Sequence, residues 1–418
     1  MSTSQDNFTD EQQSVSSDRP QSLWRNRDYM LLWSGQALSD IGGAVSELAF
    51  PLLVLAVTHS PAQAGFAAAL RALPATLFSL FAGVLVDRWN RKWVMLVCDI
   101  GRALSLASIP VAFALGHLSA AQLYITAFIE GTLLILFDLA KTAAVSQVAT
   151  REQLSTAIAQ DEFVEGTTEL FGPSLSGALY TLNAMFPFIT DAISYLISIV
   201  SLLLIRTPFQ HERKAVRRHV LREIAEGMSW LWHQPFLLTM SLLMGGGAFV
   251  FSGHVLVIII LVQQQHAPAV VIGLIFAVSG IGSILGSLLA PRLEKRLTVG
   301  QSILLCRWYF VLSWPLYGLA PFPPVLGAVE FGTGFVDPIE DIPYFSHRLK
   351  LIPDELRGRV LSACRLFPGT LRPLGLALTG ILIQHVGVFP TIWLAWAFLL
   401  VITSIVTVIP QIRRERAS

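Results

Sequence analysis

A chain of 418 residues that is 53% hydrophobic and only 14% charged, with a mean hydropathy of +0.61, is not a soluble domain, in which about a quarter of residues carry charge. Its net charge of +1 excludes the strong field through which a basic protein holds nucleic acid. The three cysteines (Cys98, Cys306 and Cys364) lie far apart inside apolar runs, without disulfide or metal spacing, and read as small packing residues.

Residues 1–22 are rich in Ser, Gln and Asp and lack the basic start and apolar core of a signal peptide, which predicts a disordered cytoplasmic tail. Crossing a bilayer takes about 20 apolar residues in a helix. Stretches of that kind follow near 30–57, 63–86, 94–115, 120–143, 156–181 and 187–206, forming an N-terminal six-helix half over 23–206. A polar linker, 207–235, comes next. Its Val216, Val220, Ile224, Met228 and Leu231 recur at helical spacing with Arg and Glu opposite, which predicts an amphipathic helix on the inner membrane surface. Six further stretches, near 236–262, 270–291, 299–319, 324–347, 360–385 and 389–410, make a C-terminal half over 236–410, and 411–418 is a second cytoplasmic tail.

The basic residues support this division. Alternate loops and both tails hold 24 of the 29 Lys and Arg residues, and the six opposite loops hold none. Cytoplasmic loops collect Lys and Arg, so both termini are expected in the cytoplasm and the chain in the plasma (inner) membrane. The remaining five, Arg71, Arg102, Arg307, Arg365 and Arg372, fall within spans.

The halves also look alike. FPFITDAIS at 186–194 matches FPTIWLAWA at 389–397, LVCDIGRALS at 96–105 matches LLCRWYFVLS at 304–313, and TREQLSTAIA and PDELRGRVLSA begin the fifth and eleventh spans. The expected fold is an all-α polytopic membrane protein of twelve transmembrane helices in two parallel six-helix repeats, with a substrate site between them.

The loop after the second span reads GVLVDRWNRKWVM, with Gly83, Asp87, Arg88, Arg91 and Lys92 in a pattern that resembles the signature loop of the major facilitator superfamily. FGPSLSG at 171–177 resembles the Gly-Pro motif of that superfamily's antiporters. REQLSTAIA, DAISYLISIVSLLLIR and WLWHQP are similar to its macrolide-efflux and enterobactin-exporter branch. The resemblance implies that Asp87 takes part in a conformational latch between the halves, while Arg88, Arg91 and Lys92 also serve as topological anchors. Asn90 stands where the family has Gly, at a turn expected to need left-handed backbone. In helix five, Pro173 is expected to act as a hinge. Gly172 and Gly177 would allow a close neighbour, with Gly282 and Gly286 of the eighth span as the matching small face.

Carboxylates inside spans set the functional question. An ionised acid facing lipid mid-helix costs about 3 kcal/mol, so such groups must face protein or water. Glu162, Glu165 and Glu169 form one stripe of helix five; Gln36, Asp40 and Glu47 lie on one stripe of helix one; Glu130, Asp138 and Lys141 do so in helix four, and Glu330, Asp337 and Asp341 in helix ten. A partly desolvated carboxylate can exchange protons near neutral pH. Acids with no cation within one turn of their own helix are the candidate proton-coupling sites: Asp40, Glu47, Glu130, Glu165, Glu169 and Asp337. Arg71, Arg365 and Arg372 are the expected buried cation partners. Asp191 and His254 are expected to be satisfied interior groups. Trp33, Phe50, Phe249 and Phe251 are expected to line the cavity.

No phosphate-binding loop, zinc pair or nucleophile elbow is present, which argues against an enzyme or an ATP-driven pump. The expected protein is a monomeric secondary transporter in the lipid bilayer. It would need no cofactor, draw on the proton gradient, and export hydrophobic or amphiphilic organic compounds by alternating access. An importer of an organic nutrient and a lipid flippase are the alternatives on the same fold.

Overall fold

The computed structural model describes residues 23–148, 150, 153–207, 220–353 and 356–409; within these, the side chains of 79–81, 83–85, 87–88, 146, 155 and 220–224 are not described. The first six long helices are α1 (Arg27–Thr58), α2 (Pro61–Arg88), α3 (Arg91–Ala114), α4 (Ala120–Val148), α5 (Leu154–Leu182) and α6 (Phe186–Leu204). The described part of the linker forms α7 (Val220–Trp232). After it come α8 (Pro235–Phe251), α9 (His254–Gln264), α10 (Ala269–Glu294), α11 (Val299–Ser313), α12 (Pro315–Leu319), α13 (Pro323–Leu351), α14 (Arg357–Val386) and α15 (Val388–Val408).

Local chemistry sets the helix ends. Asn26 caps α1 by accepting from the Tyr29 N–H at 3.1 Å, and Ser60 caps α2, whose first residue, Pro61, has no N–H to leave unpaired. Thr298 and Gln301 close a reciprocal capping box on α11. Asn90 departs from expectation. Its backbone is extended (φ −67°), not left-handed, because the side chain caps α3 by accepting from the Lys92 N–H at 3.0 Å.

All twelve predicted stretches lie in helices, the seventh divided into α8 and α9 and the ninth into α11 and α12. Pro315 explains the second division, since it cannot donate to the preceding turn. At 32 residues and about 1.5 Å per residue, α1 is about 48 Å long, ample for a hydrocarbon layer of about 30 Å. Among the described residues, α1, α3, α4, α6, the α8–α9 pair, α10, α14 and α15 are long and apolar enough to cross a membrane. In α5 and α13 four carboxylates each interrupt the apolar run.

α1 packs against α2, α5 and α6, and α3 against α4 and α6; among the later helices, α10 packs on α13 and α14 on α8. The two groups meet through α5 against α10 and α2 against α14. Their cores show where they close. One large apolar cluster joins both groups, running from Leu48–Leu55 of α1 and Ile109 of α3 to Ile258–Val262 of α9 and Ile392 of α15. At the other end, which carries the basic loops, the cores are separate. Tyr29, Met95, Phe137 and Ile205 pack together in the first group, and Leu237, Ile303, Tyr344 and Val360 in the second. The molecule is therefore closed at one end and divided at the end of the basic loops.

Glycines make the closed contact. A Cβ on Gly177 would stand 2.6 Å from the Ala269 carbonyl of α10, and one on Gly273 would stand 2.5 Å from the Pro173 carbonyl of α5. Gly65 of α2 and Gly380 of α14 meet in the same way. The small face of α10 that meets α5 is thus Gly273 and Gly280, not the expected Gly282 and Gly286, which pack on Phe331 and Phe335 of α13. Gly172 faces Ala44 of α1.

Candidate transport site

The cleft between the separate cores is bordered by the acid-bearing part of α5. Helical geometry places Glu162, Glu165 and Glu169 on one side of this helix, while the exposed Phe163 and Phe171 project from a different side and provide a surface for lipid. Glu165, Glu169 and Glu47 of α1 are exposed and form no hydrogen bond or ion pair among the described residues. Glu169 lies within electrostatic reach of Glu165, Glu47 and Glu162. Three of the predicted acids thus gather just below the closed layer, where Gly172 meets Ala44. Asp337, on α13, is also exposed and unbonded, near Asp341 and Glu340.

The other two candidates are held by cations on other helices, so the same-helix criterion that selected them is corrected. Asp40 accepts from Lys141 Nζ of α4 at 3.3 Å. Glu130, 2% exposed, accepts from Arg102 Nε of α3 at 3.3 Å. The guanidinium of Arg102 also lies 4.2 Å from the centre of the Tyr195 ring of α6. A matching pair joins the ninth and tenth spans, where Arg307 Nη2 of α11 lies 2.6 Å from Glu340 Oε1 of α13.

Arg102 and Arg307 are therefore the buried cation partners. The expected ones are not: Arg365 and Arg372 are exposed, and Arg71 is half-buried with Glu130 and Asp191 in electrostatic reach. Sequence reasoning also missed Asp99, fully buried, which accepts from Ser198 at 2.6 Å while Gln36 donates to Ser198 at 3.0 Å. Asp191 is bonded to Ser46 and Ser194, and His254 to Glu330, as expected of interior groups. The aromatic expectation fails for Phe50, Phe249 and Phe251. Phe50 is buried on Phe188, and Phe249 and Phe251, half-buried, pack on Phe398 and on Phe310 and Trp314; all three belong to the apolar cluster of the closed end. Trp33 makes its ring contact with Trp24.

Gly83, Asp87 and Arg88 fall at the end of α2, where side chains are outside the described set. Arg91 Nη1 donates to the Ala143 carbonyl of α4 at 3.4 Å, and Lys92 Nζ to the Ile205 carbonyl at 2.6 Å, just past the end of α6. The Lys92 bond satisfies a carbonyl at a helix C-terminus, where cations are favoured.

Residues 32–367, most of the chain, match the Major Facilitator Superfamily. The chain belongs to the major facilitator superfamily. Among its superfamily relatives, it is 28% identical over 407 residues to the MFS-type transporter YfiS of Bacillus subtilis, covering 93% of this chain and 94% of that one. It is 26% identical to the multidrug efflux pump Tap of Mycolicibacterium fortuitum (89% and 93% covered) and 23% identical to macrolide efflux protein A of Streptococcus pyogenes (94% and 98% covered). The superfamily fold is equally clear in solved structures. An inward-facing bacterial homologue of the human lysosomal transporter Spinster superposes with a TM-score of 0.74 at 14% identity over 94% of this chain and 99% of that one. The inward-facing structure of a bacterial homologue of the iron transporter ferroportin also gives 0.74, at 17% identity over 93% and 99%. The chain is a multi-pass membrane transporter of this superfamily.

Proposed function

We propose that this transporter exports hydrophobic or amphiphilic organic cations in exchange for protons, alternating between a state open to the cytoplasm and one open to the outside. The observation that carries the reading is the group of unpaired carboxylates, Glu47, Glu165 and Glu169, beneath the α5–α10 contact. Acids without a fixed counter-charge in a partly dehydrated cleft attract a cation and exchange it for protons. The efflux pumps among the relatives agree with this direction. If the basic loops are cytoplasmic, as their charge implies, the closed end faces outward and the cleft opens inward.

The test uses purified protein in liposomes with ethidium as the lipophilic cation. A pH gradient should drive ethidium movement in the wild type. Glu165→Gln or Glu169→Gln should abolish the driven component and leave gradient-independent exchange. Equal ethidium movement with and without the gradient in wild-type liposomes would remove proton coupling.

A further inference from the structure

Span seven is interrupted at Ser252–Gly253, and the first residue after the break, His254, enters a buried cluster that the cleft acids do not include. Its Nε2 lies 2.7 Å from Glu330 Oε1 of α13, whose side chain is 2% exposed. The Tyr317 hydroxyl of α12 donates to the same oxygen. Rings surround the imidazole: Phe251, Phe276, Trp314 and Tyr317 all stand within 6.4 Å, centre to centre. The other ring nitrogen, Nδ1, makes no hydrogen bond and is not among the sealed polar atoms.

This cluster differs in kind from the buried pairs Arg102–Glu130 and Arg307–Glu340. A guanidinium does not give up its proton in a protein, so the cation of each of those pairs is fixed. Histidine changes charge in the physiological range, and here a carboxylate with two donors already on one oxygen is fixed as its acceptor. Among the described residues no other cation forms an ion pair with Glu330. The titratable groups facing the pair are Tyr317 of α12, Tyr309 of α11 and Asp337 further along α13; α8 and α10 present only Phe251 and Phe276.

We propose that His254, held by Glu330 and Tyr317 at the break in span seven, is a proton-binding site of the C-terminal helix group. A proton arrives at Nδ1 while Nε2–H donates to Glu330, so the buried pair passes from net negative to neutral. The loss of charge acts at the joint between α8 and α9, where Gly253 sits against Thr379 of α14. That this proton is worked by transport rests on the proton-coupled reading above; that the site binds it does not.

The experiment is an NMR pH titration of the full chain with its nine histidines isotope-labelled, the His254 signal being assigned as the one that His254→Gln removes. The expected result is a reversible change of His254 between its neutral and charged forms, with its midpoint displaced in Glu330→Gln. A His254 signal fixed in one form across the pH range in the wild type would overturn the proposal, whether or not the Glu330 and Tyr317 variants fold. An undisplaced midpoint in Glu330→Gln, with Tyr317→Phe likewise without effect, would also overturn it. In liposomes, His254→Gln should lose gradient-driven ethidium export and keep gradient-independent exchange. A wild type that ignores the gradient removes the coupled reading instead, and the titration then decides the site alone.

Discussion

Replacing Gly273 by alanine adds one methyl group to α10 at the point where it crosses α5. That carbon would stand 2.5 Å from the Pro173 carbonyl oxygen and 2.9 Å from Ser174 Cα, both backbone atoms that cannot rotate aside. The helices must move apart, and overpacking of this kind costs about 1–3 kcal/mol. The cost falls on the state in which α5 and α10 are in contact, because the methyl is relieved wherever they separate. A differential of that size shifts a two-state population by about 5–150-fold. Spin labels at His117 and Phe322, in loops at the closed end of the two helix groups, would read it as a distance distribution, after Cys98, Cys306 and Cys364 are replaced by alanine. Gly273→Ala and Gly177→Ala should each populate longer distances, whereas Gly327→Ala, with nothing within 4 Å of the added carbon, should not. Unchanged distances in both α5–α10 variants would refute the argument that this contact holds the closed end. A shift in the Gly327 control would refute the attribution to local packing.

Two further outcomes concern the ion pairs. Arg307→Met should destabilise the protein by about 3–5 kcal/mol by leaving Glu340 buried and unpaired, and Arg307→Met with Glu340→Met should recover much of the loss; thermal unfolding of the wild type and the two variants checks this. For Asp40 and Lys141, the double variant Asp40→Asn/Lys141→Gln should retain more ethidium export than either single variant, because each single change strands its partner. A double variant as inactive as both singles would return Asp40 to the proton-carrying group.

Helix positions were legible in the sequence because membrane crossing imposes a length and an apolar composition on contiguous residues, and each predicted stretch falls on one helix or, for the seventh and ninth, on two. Partnership was not. Asp40 seemed unpaired because no cation lies within a turn of it, yet Lys141 reaches it from a residue 101 positions away, and Arg102 reaches Glu130 across a loop. Charge spacing within one helix carries no information about the helix beside it. The α10 glycines illustrate the same limit. Small residues occur on two faces of that helix, and only the packing distinguishes Gly273 and Gly280, against α5, from Gly282 and Gly286, against α13. The cavity aromatics failed for a related reason, since a Phe in an apolar span reads alike whether it meets a cleft or another ring. That Glu165 and Glu169 lie on a different side of α5 from the exposed Phe163 and Phe171 was legible, because an acid stripe ahead of a Gly-Pro pair is improbable on a lipid-facing surface.

The two buried arginine–glutamate pairs also bear on how the chain is made. Each joins consecutive spans across a short turn: α3 to α4 across residues 115–119, and the α11–α12 pair to α13 across 320–322. An arginine at the centre of a lone inserting helix costs about 2.5–3.5 kcal/mol, and a glutamate on the next helix arrives only after the turn has been synthesised. Biogenesis then favours partitioning these spans as hairpins, with the first helix waiting beside the translocon until its counter-charge emerges. Lengthening either turn would prolong that wait, and the penalty would appear as degraded or inverted chains during synthesis while the finished protein kept its stability.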